Sequence, residues 1–162
     1  HLVVVPMEPG HADPQHAHAV IARMTNAKRA VVLRGDYTPR QVLSIVGSFE
    51  IAVGMRLHFL VFAALRRVPF VALPYASKVS GVLEPLELPR PLGLDSHAGH
   101  LIAAIDRTWD TRRTIRAHLD RILPDVQARA RRTAALFREV VRRPARAPGD
   151  GLRATAEASW AR

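Results

Sequence analysis

Short continuous apolar runs alternate with stretches of helical period from the start of the chain up to residue 105. Residues 2–5 read as a buried parallel strand. Residues 6–14 are a loop rich in turn formers, and Asp13 before Pro14 reads as a helix N-cap with proline at N1. Ala17, Val20, Ile21 and Met24 give that helix its inward face. Residues 30–33 are a second strand. Thr38 then caps a helix with Pro39 at N1 and with Val42, Ile45 and Val46 toward the core. Residues 51–53 make a third strand, ended by Gly54. Leu57, Leu60, Val61, Ala64 and Leu65 recur at i, i+3, i+4, i+7 and i+8, an amphipathic helix. Residues 68–73 are the next apolar run, with Pro69 at its start. After Tyr75 a helix carries Val79, Val82, Leu83 and Leu86 on one face and runs to about Glu87. Strand alternating with helix across very short connections predicts an α/β domain over residues 1–106. It is Rossmann-like, with four or more parallel strands and flanking helices.

Beyond it the pattern changes. Pro89, Pro91 and Gly93 make residues 88–94 irregular, with room for a short edge strand. Asp95 or Ser96 caps a helix with Leu101, Ile102 and Ile105 inside. From residue 111 to 143 the period is helical again, through Ile115, Leu119, Ile122, Leu123, Val126, Leu136 and Val140. Pro124 is expected to break or kink it. Residues 107–145 therefore form an Arg-rich helical extension. Residues 146–162, with little patterning, read as a disordered tail.

Composition narrows the class. The chain has 162 residues, 48% apolar, enough for one domain with a real core. No apolar run is long enough to span a bilayer. The start has no basic region ahead of its apolar run, so a secretory signal is not expected there. It begins on a strand without an initiator methionine, so a piece of a longer protein is expected. With no cysteine there is no disulfide, thiolate metal site or thiol nucleophile. His16 and His18 are two apart on a helix and point in different directions, which argues against a metal site. His97 and His100 are expected on an exposed surface. His11, Arg34 and Tyr37 lie on loops at the carboxyl edge of the predicted sheet, where ligands of open α/β sheets bind.

The formal charge is +10, and of the 24 basic residues all but Lys28 and Lys78 are arginine. Arg56 and His58 fall in the first turn after one strand and Lys78 in the first turn after the next. A cation in a first helical turn opposes the helix dipole, and three around one sheet edge make sense if an anion binds between them. The alternative is that Arg56 pairs with a carboxylate such as Glu50 and the other two are ordinary exposed residues. The arginines from Arg112 to Arg143 are either a solvated face or a contact with anionic lipid headgroups.

The same residues carry a resemblance. Val53-Gly54-Met55-Arg56-Leu57-His58, Phe62-Ala63-Ala64, residues 68–73, and Tyr75-Ala76-Ser77-Lys78-Val79 resemble the C-terminal domain of the polysaccharide pyruvyl transferases. One position departs: Ala76 stands where the family often has an acidic residue. The resemblance implies one half of a GT-B-like enzyme whose cleft needs a missing N-terminal domain. It implies transfer of an enolpyruvyl group from phosphoenolpyruvate to a saccharide, giving a cyclic pyruvate ketal, with no other cofactor and no metal. His58 is assigned proton transfer or phosphate contact, and Lys78 the phosphate or carboxylate. Arg56 is a second anion contact or a structural pair; Gly54, Tyr75 and Ser77 complete the substrate-binding set. A lipid-linked acceptor and peripheral contact with an anionic membrane are expected, in a cytoplasmic setting at its inner face.

Two rivals stand beside this. A GT-B glycosyltransferase using a nucleotide sugar predicts a carboxylate at a sheet edge to hold the ribose, and the loops near Lys78 offer none. A basic nucleic-acid-binding module predicts aromatics interleaved with the charges, and Trp109, Phe137 and Trp160 are too sparse; no nucleic-acid partner is expected.

The arginine bias makes Lys78 a sharp test. If the position wants only charge, arginine serves; if it wants a compact donor in a tight anion pocket, the planar fork does not fit. In the full-length parent, Lys78→Arg is expected to keep its thermal melt but lose a charge-assisted contact of about 1.5–3 kcal/mol, roughly ten- to a hundredfold in turnover. Near-normal turnover would leave Lys78 a generic surface charge.

Overall fold

The computed structural model describes residues 1–7, 13–73, 77–89, 92–93 and 95–142. Its strands are β1 (Leu2–Val4), β2 (Ala30–Val32), β3 (Ala52–Gly54) and β4 (Phe70–Ala72). Its helices are α1 (Asp13–Ala22), α2 (Pro39–Val46), α3 (Leu57–Leu65), α4 (Ser77–Leu83), α5 (Ala98–Asp110) and α6 (Arg112–Arg142). The chain divides into two compact units, His1–Val126 and Gln127–Arg162. The predicted tail, His11 and Tyr75 lie outside the described residues.

The alternation of strand and helix holds, and the strands pair in parallel. They do so as two two-stranded sheets, not one ladder of four. β1 pairs with β2 in the register Leu2↔Ala30, Val3↔Val31, Val4↔Val32. β3 pairs with β4 in the register Ala52↔Phe70, Val53↔Val71, Gly54↔Ala72. Backbone bonds lengthen both pairs at their ends, from Leu33 N–H to Val4 O at 2.9 Å and from Leu73 N–H to Gly54 O at 2.8 Å. The two pairs differ in burial. All of β4 is buried, whereas Leu2 and Val31 are 42% and 51% exposed, so β1 and β2 are not the doubly covered strands that their apolar runs predict. Leu92 N–H donates to Ala72 O at 3.2 Å, the one trace among the described residues of the edge strand expected in residues 88–94.

The core of the first unit is built on α3. Phe59, Leu60, Ala63 and Ala64 are buried, with Leu60 and Ala63 fully so. The buried face is therefore broader than the spacing from Leu57 suggests, because a helix that is apolar all round can be covered on several sides. Val46 of α2, Val68, Phe70 and Ala72 of the β4 segment, and Val79, Leu83 and Leu86 pack with it. α3 closes on Arg67 in the left-handed region (φ 59°), with Val68 N–H returning to Ala63 O at 2.9 Å. This is the usual helix stop, here without its usual glycine.

Local signals mostly act as read. Thr38 caps α2 through a reciprocal box with Gln41. α5 is capped instead by His97, whose Nδ1 accepts from Gly99 N–H at 3.1 Å, not by Asp95 or Ser96. Its inward stripe is Leu101, Ile105 and Thr108; Ile102 is 59% exposed because it lies a quarter turn away. In α1 only Ala17 is buried, and Val20 is 56% exposed.

α6 passes Pro124 without ending. Proline inside a helix removes one backbone bond and costs about 3 kcal/mol. Packing on both sides of it offsets that loss: Leu119 and Leu123 are buried, and Ile115, Ile122 and Val126 pack against the same core. Arg67 also pairs with Asp120. His118 Nε2–H donates to Leu86 O at 2.9 Å, while its Nδ1 accepts from Arg121 at 3.0 Å, contacts that fix the Nε2–H tautomer. The early part of α6 thus belongs to the core of the α/β part. Leu119→Ala is expected to cost about 2–5 kcal/mol, whereas Leu136→Ala, 63% exposed on the same helix, stays within about 0.5 kcal/mol. Urea unfolding midpoints of the two variants check this.

Candidate functional site

The first unit holds a cavity of about 800 Å³. It lies where the carboxyl ends of β1 and β2 meet the early turns of α1, α2 and α3. Val5, Pro6 and Met7 follow β1, and Leu33, Arg34 and Gly35 follow β2. Its wall is mostly apolar. Among the described residues its polar groups are few: His18 from α1, Arg34 and Tyr37 from the loop after β2, and His58 from α3. A mostly apolar concavity with a few converging polar groups is the ordinary form of a small-ligand site.

Each group is held by its element. His58 is the second residue of α3 and is exposed at the rim. Tyr37 donates from its hydroxyl to Arg34 O at 3.0 Å, which ties the loop across Gly35. That glycine sits at φ +115°, a conformation other residues adopt only with strain. Gly54 matters through packing. A Cβ there would meet Phe59 Cδ1 at 2.5 Å and Cε1 at 3.0 Å. With no Cβ, the phenyl ring closes on the end of β3, and α3 can begin three residues later.

Arg56 precedes α3 as its N-cap but gives no side-chain cap bond, since a guanidinium has no acceptor. Its Nη2 pairs instead with Asp13 Oδ1 at 2.7 Å, across 43 residues of sequence and with both side chains largely covered. The structural pair therefore exists, but its partner is Asp13 and not Glu50. Glu50 precedes β3 and Arg56 follows it. The three-residue strand lies between them, so the two stand at opposite ends of it. Glu50 lies instead 3.9 Å from Arg112 and 3.8 Å from Arg116.

The predicted residues thus come together in part. His58 lines the cavity, as do Arg34 and Tyr37, while Arg56 is engaged beside it with Asp13. Ser77 and Lys78 open α4, and Tyr75 lies outside the described residues. His18 was weighed in the sequence only as a metal ligand. It shares a helical face with Pro14, four residues earlier, and both line the cavity, but no signal in the sequence marks that face as the cavity side. Among the described residues no three metal-ligating side chains cluster, and no helix is long and apolar enough to cross a membrane.

Comparison with known families settles the resemblance. Residues 2–77 match the polysaccharide pyruvyl transferase family. The match spans β1 to the first residue of α4, and so contains every described residue of the cavity wall and the Gly54-Met55-Arg56-Leu57-His58 turn. The pyruvyl transferase family is a family of transferases, and the cavity lies inside the segment that is similar to it. No curated protein and no solved structure matches the chain.

Two glycines separate packing from strain in this segment and its flank. Gly54→Ala is expected to destabilise by about 1–3 kcal/mol, since Phe59 must move. Gly81→Ala in α4, where an added Cβ has open space, is expected to stabilise by about 0.5–1 kcal/mol. Thermal melts of both report the sign directly.

Proposed function

We propose that this chain carries the donor half of a polysaccharide pyruvyl transferase. In this reading the enzyme is GT-B-like, a second α/β domain closes the cleft, and the acceptor is a saccharide presented on a lipid. The observation that carries the reading is His58. The family-like turn delivers it to the rim of the cavity at the strand ends, with the uncapped first turn of α3 beside it.

The chemistry asked of these residues is specific. Phosphoenolpyruvate bears a phosphate and a carboxylate. Backbone N–H groups at the start of α3 and a nearby ammonium or guanidinium suit such an anion. Protonating its methylene carbon leaves a cation at C2. One sugar hydroxyl adds there and phosphate departs; a second hydroxyl then closes the ketal. Both additions release protons, and an imidazole near neutrality is the natural carrier. His58 takes that role or a phosphate contact, and Lys78 holds phosphate or carboxylate. Arg56, braced by Asp13, positions the turn or is a second contact for the anion. Gly54, Tyr75 and Ser77 complete the binding set. The apolar wall lowers the local dielectric and strengthens each charged contact.

The test is ligand-observed binding on the full-length parent, with phosphoenolpyruvate against UDP-sugars. Phosphoenolpyruvate is expected to bind, to compete with no UDP-sugar, and to lose most affinity or turnover in His58→Ala. Residues 1–162 in isolation are expected not to turn it over, because half the cleft is absent. Binding of UDP-sugar in preference to phosphoenolpyruvate would replace this reading with nucleotide-sugar transfer.

A further inference from the structure

The second compact unit is described over residues 127–142, and there α6 has two opposed faces. At about 100° per residue, Thr133, Leu136, Phe137, Val140 and Val141 fall within one arc. The four apolar residues are 63%, 69%, 66% and 67% exposed. The opposite arc carries Arg131, Arg138 and Arg142, all exposed; Arg132 borders the apolar arc, Arg129 falls within it at its N-terminal end, and Glu139 is the one acid between residues 127 and 142.

A row of large apolar side chains in water costs free energy unless something covers it. A second copy of the chain is a poor cover, since Arg129 lies within the stripe and Arg132 at its edge, and pairing two such stripes would bury these charges against apolar side chains. A bilayer interior is not available to it, because no described helix is long and apolar enough to cross one. What fits both faces is an anionic bilayer surface. The apolar arc sinks among the acyl chains while the arginines, with flexible stems, reach up to the headgroups.

We infer that residues 127–142 form an interfacial helix that docks the protein on anionic lipid, with Leu136, Phe137, Val140 and Val141 as the inserted face. Three of the four arginines in the earlier half of α6 have other work. Arg112 donates to Trp109 O at 2.7 Å and lies over its ring, Arg112 and Arg116 face Glu50, and Arg121 contacts His118. The docking face is therefore confined to the second unit and is independent of the transferase chemistry.

Sedimentation of the full chain with phosphatidylcholine vesicles, alone or mixed with phosphatidylglycerol, tests this. Binding is expected on the mixed vesicles only and is expected to weaken with salt. Phe137→Asp should lower the partition coefficient more than about tenfold. Arg138→Glu should lower it at least about fivefold, and Arg113→Glu, exposed in the earlier half, by less than about twofold. All three sites are exposed, so unchanged thermal melts are expected. Phe137→Trp should add emission that shifts to shorter wavelength on the mixed vesicles. No binding, or equal binding to neutral vesicles, overturns the inference. So does full binding by Phe137→Asp, which would reduce the effect to attraction by net charge. A concentration-dependent dimer that Phe137→Asp dissolves, with no vesicle binding, would assign the stripe to a second copy.

Discussion

Gly54 has no Cβ, and the ring of Phe59 occupies the space one would need. Much of the first unit hangs on that contact. It lets α3 begin directly after β3 and turn back over the β3–β4 pair. Leu60, Ala63 and Ala64 are then laid against Phe70 and Ala72, and the remaining core residues assemble around them. The same contact sits at the start of α3, beside Arg56 and His58. Arg56 is thrown toward α1, where Asp13 receives it, and His58 emerges at the rim of the cavity. A side chain at position 54 would push on the phenyl ring, and hence on the start of α3, where the candidate chemistry sits.

The cavity and the Arg56–Asp13 pair share one cause. Val5, Pro6 and Met7 after β1 and Leu33, Arg34 and Gly35 after β2 open onto the cavity. α1 crosses that space with Asp13 at its start and His18 one turn and a half later. The ion pair pins the start of α1 to the start of α3, and His18 and His58 consequently line a single wall. Both side chains of the pair are largely covered, so the contact is screened less than a surface pair. Breaking it from one side leaves a half-buried charge.

The fold was readable where signals are local. The strand–helix rhythm, the Thr38–Gln41 box and the face of α4 need only neighbours in sequence. What the sequence could not carry was pairing. Each strand is three residues long, and an apolar triplet does not state whether it has one neighbour or two, or whether both its faces are covered. β1 and β4 read alike and are buried very differently. Arg56 shows the same limit for the site. A carboxylate six residues away is nearer in sequence than one 43 away, but a strand carries the first off and the helix crossing brings the second in. His58 was legible because its motif places it at a strand end, a matter of spacing alone. His18 was not, because nothing in its own helix says that the cavity lies on that side.

α6 shows the limit most clearly, and it bears on what the chain does. By helical period, Ile115, Leu119, Ile122, Leu123 and Val126 lie on the same arc as Leu136, Phe137, Val140 and Val141. Read along the sequence this is one apolar stripe with one use. In the structure its first part is core and its second part is water-exposed. The difference lies in the polar residues that accompany each part. Beside the buried stretch stand Asp120 for Arg67, His118 for Leu86 and Arg116 for Glu50, each with a partner elsewhere in the same unit. Beside the exposed stretch stand Arg131, Arg138 and Arg142, a one-signed face. A helix face whose charges are matched one by one is fitted to a particular protein surface. A face with excess charge of one sign and an open apolar flank is fitted to an extended surface of the other sign, where no single partner has to be in register.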